Sequence, residues 1–150
     1  MMRETINTAM KDALKARNAA RTSTLRMISA AIKDRDIAAR GEGKSVGDED
    51  ILALLQKMVK QREESAAIYA ENARPELEAK ERAEIAIIQE FLPKAMDEAE
   101  VDAAIKAAIA ETGAEGVKDM GKVIGVLKAK YPGQIDFGAA SKQVKAALGG

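Results

Sequence analysis

The sequence predicts an all-α protein, and three observations support this prediction. Aromatic residues make up only 3% of the 150 residues, whereas alanine, lysine, glutamate and leucine are abundant. These four residue types favour helices, while strands are rich in aromatic and β-branched residues. Apolar residues recur every three or four positions along most of the chain, which is the helical period. The hydrophobic fraction of 47% is enough for a core, although much of it is alanine.

Four helices are predicted in the first part of the chain. They cover about residues 3–16, residues 19 or 22 to 39, a third stretch that follows a cap at Ser45 or Asp48 and runs to about residue 72, and residues 75–91. Ser45, with Asp48 three positions later, can cap the third helix, and Asp48 itself is the alternative cap. The glycine-rich loop at residues 41–43 and the matched apolar faces on either side predict that the second and third helices form an antiparallel hairpin.

Three further helices are predicted after Pro93, over about residues 97–112, 118–131 and 136–148. Asp97 is the expected cap of the first, with Glu100 as its capping-box partner. Asp136 is the expected cap of the last. We therefore expect two domains: an N-terminal four-helix region of the helical-hairpin type (1–95) and a C-terminal three-helix bundle (96–150).

Two glycines lie inside the helix predicted over residues 118–131. Gly121 and Gly125 are four positions apart, and a glycine within a helix costs roughly 1 kcal/mol relative to alanine. Four lysines surround their face: Lys118, Lys122, Lys128 and Lys130. One interpretation is a small-residue packing seam between two helices, with solvated lysines beside it. The other is a helix that exposes its backbone to a phosphate chain. The sequence leaves both interpretations open.

The formal net charge is zero, but the charged residues are unevenly distributed. Residues 1–40 carry nine Lys/Arg and four Asp/Glu, and residues 116–150 carry six and two, so both ends are basic. Residues 41–97 carry eight Lys/Arg and thirteen Asp/Glu, and residues 98–115 carry one and five, so the middle is acidic. The pattern fits contact of the ends with a polyanion, and it also fits packing of basic parts on acidic parts.

A segment near the C-terminus resembles a known family. It reads Asp119-Met120-Gly121-Lys122-Val123-Ile124-Gly125, then Lys-x-Lys-Tyr-Pro-Gly-x-Ile-Asp and a last short helix ending at Leu148. Weaker motifs precede it in matching order: Ser23-Thr24-Leu25-Arg26-Met27, Lys60-Gln61-Arg62 and Phe91-Leu92-Pro93. Together they resemble the GatB/YqeY family over nearly the whole chain, in its stand-alone YqeY-like form. The C-terminal part is similar to the tail domain of the B subunit of the Asp/Glu-tRNA amidotransferase.

The resemblance implies contact with RNA, because the similar amidotransferase tail helps to hold tRNA. On this sequence the role falls on Lys118, Gly121, Lys122, Gly125, Lys128, Lys130, Lys142 and Lys145. Arg21, Arg26 and Arg35 could extend this surface. The lysines would neutralise phosphates, and the glycines would let the RNA backbone come near. No aromatic platform for stacked bases is visible, so recognition would depend on shape and charge.

The resemblance also brings a label of carbon–nitrogen ligase activity with glutamine as amide donor, which we attribute to the amidotransferase. An amidase-type site needs an activated serine, a base and oxyanion donors. Ser141 and Lys142 are adjacent, so they point to different sides of a helix and cannot form a nucleophile–base pair. No Walker-type loop for a nucleotide occurs. We therefore expect no catalytic residue and no cofactor.

The absence of cysteine and histidine narrows the possible chemistry. It removes disulfides, thiolate nucleophiles, Cys/His zinc sites and histidine acid–base catalysis. No calcium-binding loop is visible, so no metal site is expected. No run of 18 apolar residues occurs, and the charged N-terminal helix lacks a signal-peptide core. We therefore expect a cytoplasmic protein without membrane contact.

Two other functions stay open beside an RNA-binding module. A protein-interaction adaptor would dock on an aminoacyl-tRNA synthetase, an amidotransferase component or another RNA-processing enzyme. An exposed apolar stripe would mark such an adaptor. An autonomous amidotransferase or ligase would need a catalytic centre that the residues do not suggest.

Overall fold

The chain folds entirely into helices in the part that the structure describes. The computed structural model describes residues 1–149, which form seven α-helices and one short 3₁₀ helix, with no strand among them. Contacts divide the chain into two compact units, Met1–Pro93 and a second unit that begins at Lys94. The predicted all-α class is confirmed.

The first unit consists of four helices around one apolar core. They are α1 (Met2–Lys15), α2 (Ala19–Gly41), α3 (Asp48–Glu71) and α4 (Pro75–Gln89). Five large aliphatic side chains from α2, α3 and α4 are 0% exposed: Leu25, Ile28, Ile51, Leu55 and Ile88. Ile6 adds α1 to the same cluster. Burial of each such side chain stabilises the fold by about 1.5–3 kcal/mol, so this cluster holds the four helices together.

The predicted hairpin of α2 with α3 is wrong, because α3 packs chiefly along α4, and α1 along α2. Only residues 72–74 connect α3 to α4, and Ala73 adopts the left-handed conformation with a φ of 53°. The Arg74 N–H donates to the Tyr69 carbonyl at 2.9 Å and closes this turn. A connection this short holds its two helices antiparallel and in contact. The connection between α2 and α3 is longer, at residues 42–47, and these two helices share fewer contacts.

The start of α3 also differs from the prediction. Gly47 precedes the helix, and its N–H donates to the Asp50 carboxylate at 3.0 Å. The predicted cap Ser45 lies outside the helix, and Asp48 is the first helical residue. The Asp48 carboxylate accepts the Met2 N–H at 3.3 Å instead, which joins α1 to α3. A contact distant in sequence therefore replaces the local cap that residue preference favours.

Ion pairs connect neighbouring helices of the first unit. Arg3 of α1 donates to the Asp36 carboxylate of α2 at 2.8 Å. Arg62 of α3 donates to the Glu84 carboxylate of α4 at 3.0 Å, and both of these side chains are only 15% exposed. The Arg62 guanidinium also donates to the Met58 carbonyl at 3.2 Å. The Arg62–Glu84 pair is the more buried of the two.

The second unit contains three α-helices around its own core. They are α5 (Glu98–Thr112), α6 (Met120–Lys130) and α7 (Phe137–Ala147), with a 3₁₀ helix (Val117–Asp119) directly before α6. Ile105 of α5, Val123 and Leu127 of α6 and Val144 of α7 are at most 2% exposed. The small residues Ala104 and Ala108 on the buried face of α5 belong to the same cluster.

Both predicted helix caps of the second unit are confirmed. The Asp97 carboxylate accepts the Glu100 N–H at 2.8 Å, and the Glu100 carboxylate accepts the Asp97 N–H at 3.5 Å. This is the reciprocal pattern of a capping box. The Asp136 carboxylate accepts the Gly138 N–H at 3.0 Å at the start of α7. Each cap satisfies backbone donors that the first turn of a helix leaves unpaired.

Candidate nucleic-acid interface

The two sides of α6 differ in character. Val123 and Leu127 are 0% exposed and face the core of the second unit. Gly121 and Gly125 are exposed on the other side of the helix. The helical period places the exposed Ala129 on that side too, so small residues follow one another at four-residue spacing. The side of α6 that faces away from the core is therefore nearly bare backbone, and we call it the glycine face.

The glycine face is not packed against the other helices of the second unit. A Cβ atom built at Gly121 or Gly125 would meet nothing within 4 Å among the described residues. The interpretation of these glycines as a packing seam between helices of the second unit is therefore wrong. Neither glycine has a positive φ, so the backbone does not require glycine there. Gly125, in the interior of α6, costs the helix roughly 1 kcal/mol, while Gly121, its second residue, costs less, and no packing within the second unit offsets these costs.

Asp119 fixes the entry into α6. Its carboxylate accepts the Glu115 N–H at 3.1 Å, and this hydrogen bond lowers the pKa of Asp119 below its ordinary value. The nearby charges of Lys122 and Lys118 lower the same pKa further. The Lys122 ammonium lies 3.8 Å from the Asp119 carboxylate and is 72% exposed. Because the pair is long and solvated, Lys122 keeps most of its capacity to bind another anion.

Lys128 and Lys130 have different surroundings near the end of α6. The Lys128 ammonium lies 5.8 Å from the centre of the Phe137 ring, at cation–π distance. The Lys130 ammonium donates to the Glu111 carboxylate of α5 at 2.6 Å, and this hydrogen bond raises the pKa of Lys130. Lys130 therefore already has an anionic partner within the unit, whereas Lys128 has its ammonium over an aromatic face.

A tight turn sets the direction of α7. The Gln134 N–H donates to the Tyr131 carbonyl at 3.2 Å, and Gly133 has a φ of 78°. Pro132 followed by glycine in the left-handed region is typical of a type II turn. The Gln134 carbonyl also accepts the Met96 N–H at 3.0 Å, which ties this turn to the segment before α5.

Lys142 and Lys145 lie on the exposed side of α7. Ala140 and Val144 occupy its buried side and are at most 1% exposed. Among the described residues, no carboxylate forms an ion pair with Lys118, Lys142 or Lys145. These three ammonium groups are thus unpaired among the described residues, and they add to Lys122 and Lys128 on the predicted surface.

The three arginines of the predicted surface lie in the first unit. Arg21 donates to the Glu90 carboxylate at 2.6 Å, and this hydrogen bond raises the pKa of Arg21. Arg26 is exposed and lines a groove beside α1. Arg35 is exposed near the end of α2. The Arg21–Glu90 pair shows that the basic first segment packs partly on the acidic second one, as the charge pattern allowed.

Two carboxylates of the candidate interface did not stand out in the sequence. Asp119 lies three residues before Lys122, and this local spacing is a signal that helix geometry could have revealed. Glu111 is nineteen residues before Lys130 in sequence. No local pattern indicates that pair, because it depends on how α5 packs on α6.

The described residues contain no group of three or more acidic, cysteine or histidine side chains that could hold a metal ion. Ser141 donates to the Phe137 carbonyl at 2.7 Å, as expected for a serine within a helix. Over residues 1–149, no helix is long and apolar enough to cross a bilayer.

Comparison with known proteins identifies the family. The model of the Yqey-like protein family matches residues 3–148. The mitochondrial protein "Altered inheritance of mitochondria protein 41" of Saccharomyces cerevisiae (strain YJM789) is 29% identical over 93 residues, which are 62% of this chain and 49% of that protein. Its namesake in Lachancea thermotolerans is 31% identical over 104 residues, 68% of this chain and 54% of that protein. This chain spans about half the length of these relatives. With nearly its whole length matched, the chain belongs to the Yqey-like protein family.

Proposed function

We propose that this protein is a non-catalytic RNA-binding module whose second unit holds tRNA. The observation that most strongly supports this proposal is the open glycine face of α6, flanked by exposed lysines. Two glycines reduce helix stability without serving internal packing, so a function outside the chain explains their presence better than the fold does.

The chemistry of the surface suits a phosphate chain. An exposed backbone lets a bulky polymer come closer than side chains would allow, and ammonium groups beside it neutralise phosphates. Lys118, Lys122, Lys142 and Lys145 are the ammonium groups most available for this contact. Lys128 would contribute from its position over Phe137, while Lys130 would first have to leave Glu111.

Base recognition contributes little to this proposal. The chain has two tyrosines and two phenylalanines, and all four are partly buried. Exposed aromatic faces are the usual stacking platforms for unpaired bases. We therefore infer recognition of the folded shape of tRNA through its phosphates. Aminoacyl-tRNA synthetases and amidotransferase components would then be partners that act on the same tRNA.

Charge reversal tests the proposal. The triple variant Lys118→Glu/Lys122→Glu/Lys142→Glu should bind unfractionated tRNA at least tenfold more weakly in a gel shift at low salt, because three phosphate contacts become repulsive. The plot of log affinity against log salt should also flatten by roughly 0.7–0.9 for each phosphate that the variant no longer neutralises.

A matched control separates local from general charge effects. The variant Lys57→Glu/Lys80→Glu/Lys106→Glu changes the net charge equally at exposed lysines outside the proposed surface. It should retain most of the tRNA affinity. An equal loss of tRNA affinity in both variants would show that binding is non-specific charge attraction. Absence of a complex between wild type and tRNA at low salt would contradict the proposal.

A further inference from the structure

The first unit contains an open groove of about 520 Å³ beside the junction of α1 and α2. Its lining includes Leu14 of α1, Arg17 of the connection and, on α2, Ala19, Ser23, Arg26 and Ala30. Leu14 is 50% exposed, although leucine side chains are usually buried. Thr24 and Leu25, from the same short motif as Ser23 and Arg26, are 2% and 0% exposed. Thr24 and Leu25 of this motif therefore serve the core, whereas Ser23 and Arg26 do not contribute to it.

The groove lies along a continuous exposed face of α2. Ala19, Ser23, Arg26 and Ala30 follow one another at spacings of four, three and four residues, which places them on one side of the helix. Ile37, seven residues beyond Ala30, continues this side and is 57% exposed. Ala19, Ser23 and Ala30 are small, so this face leaves room for another element beside Arg26.

The charge around the groove is one-sided. Residues 11–35 contain seven Lys/Arg and two Asp/Glu. Arg21 is neutralised by Glu90. No carboxylate among the described residues forms an ion pair with Arg17 or Arg26. An occupant that carries carboxylates would complement these two guanidinium groups, since matched charge steers and orients binding.

The lining favours a protein segment over a nucleic acid. Leu14, Met27 and two alanines make much of the groove apolar, and a phosphate chain gains nothing from such a wall. The lining contains no aromatic side chain on which a base could stack. An amphipathic helix, by contrast, places apolar residues into a groove at three- and four-residue spacing. The Met27 thioether, whose sulfur accepts a hydrogen bond from Arg62 at 3.6 Å, adds a polarizable apolar contact to this wall.

We propose that this groove binds an acidic amphipathic helix of a partner protein. The stretch from Ala19 to Ala30 is about 16 Å long, which corresponds to about three helical turns. Arg17 and Arg26 would pair with two carboxylates of the partner helix, placed roughly two turns apart. This surface belongs to the first unit and the lysine surface to the second, so the two proposals can fail separately.

Selection from a peptide library tests this inference and does not require the partner to be identified first. A phage-displayed library of helical peptides about four turns long, with randomised surface positions, is selected on the immobilised full-length chain. Enriched peptides should carry apolar residues at three- and four-residue spacing and two Asp/Glu near a seven-residue spacing. A fluorescein-labelled copy of the most enriched peptide should bind the full-length chain with a measurable anisotropy change.

Two variants and their controls define the outcome. Arg17→Glu/Arg26→Glu should weaken the labelled peptide at least tenfold, while Arg35→Glu/Arg40→Glu should change it little. Leu14→Ser should also weaken it, whereas Ile68→Ser, at an apolar side chain 57% exposed elsewhere in the unit, should not. Circular dichroism checks that all variants stay folded. Selection without acidic helices, or affinity unchanged by the arginine and leucine variants, overturns the inference. A loss of tRNA affinity in Arg17→Glu/Arg26→Glu with unchanged peptide affinity overturns it too, because the arginines would then serve the RNA surface that the sequence predicted for Arg26.

Discussion

Gly121 and Gly125 have ordinary helical backbone on a side of α6 that the other helices of the second unit do not cover. At such positions alanine is the more stable residue, because glycine loses more backbone freedom on folding. Stability and function therefore make opposite demands on the same two positions if RNA approaches there. If the glycines have no function, replacing them with alanine should only stabilise the protein. If RNA approaches there, the same replacement should also weaken RNA binding.

The double variant Gly121→Ala/Gly125→Ala should raise the free energy of unfolding by up to about 1 kcal/mol for each substitution. It should also weaken tRNA binding, because two methyl groups would hold the phosphates away. Urea unfolding and a gel shift measure the two effects. Ala129→Gly is the control on the same face and should lower stability without loss of affinity. A stabilised variant with unchanged tRNA affinity would show that RNA does not approach this face.

A second residue-level prediction concerns Asp36. The hydrogen bond and charge of Arg3 lower the pKa of Asp36 below its ordinary value of 3.8. The stability from this pair is therefore fully present above about pH 4 and is lost as the pH falls through the lowered pKa. Asp36→Asn should have a lower free energy of unfolding than wild type at pH 6, and this difference should become smaller as the pH decreases to about 3.

Urea unfolding of both proteins across this pH range measures the gap. Asp34→Asn removes another carboxylate of the same helix and serves as the control for the loss of a negative charge. A gap between wild type and Asp36→Asn that stays constant down to about pH 3 would contradict the assigned role of Arg3.

At the level of elements, the sequence predicts where the helices lie better than how they pair. Apolar periodicity and proline positions are local signals, so the predicted spans agree closely with the seven helices of the described residues. The pairing of α3 with α4 depends on the left-handed conformation of Ala73, which alanine rarely adopts and which no local pattern predicts. The start of α3 at Gly47 was missed: the Gly47 N–H bonds to Asp50, while the predicted cap Asp48 bonds to Met2, far away in sequence.

The α3–α4 hairpin gives a prediction at this level. Glu84→Gln removes the charge that faces Arg62, with both side chains only 15% exposed. The free energy of unfolding should fall by about 1–2 kcal/mol, because the Arg62 guanidinium loses its anionic partner in a partly buried place. Thermal unfolding of the full chain measures the change. Glu63→Gln, at an exposed position on α3, should have little effect. Equal stabilities of the two variants would contradict a structural role for the pair.

For the whole molecule, the main feature is that each unit has its own apolar core. The candidate interface was only partly predictable at this scale. The sequence identified the lysines and glycines, because their types and spacing are local properties. It could not decide between a packing seam and an open face, nor show that Lys130 already pairs with Glu111, because both depend on tertiary packing.

Two separate cores predict two separately folding fragments. Residues 1–93 and residues 94–150 should each give helical circular dichroism and a cooperative thermal transition, with the shorter fragment less stable because it buries a smaller share of its surface. The shorter fragment should retain the tRNA affinity, and the longer one the peptide affinity. A fragment that is unfolded at 25 °C would contradict independent folding of the two units. Binding of tRNA by the longer fragment only would contradict the assignment of tRNA binding to the second unit.

The small-residue series of α6 also affects how the helix moves. A helix of eleven residues with two glycines opens locally at a lower free energy than its neighbours, so its amide protons should exchange with solvent sooner than those of α5. A ligand seated on that face would close these openings. The slowing of exchange along Met120–Lys130 would then report occupancy directly, without any label on the ligand.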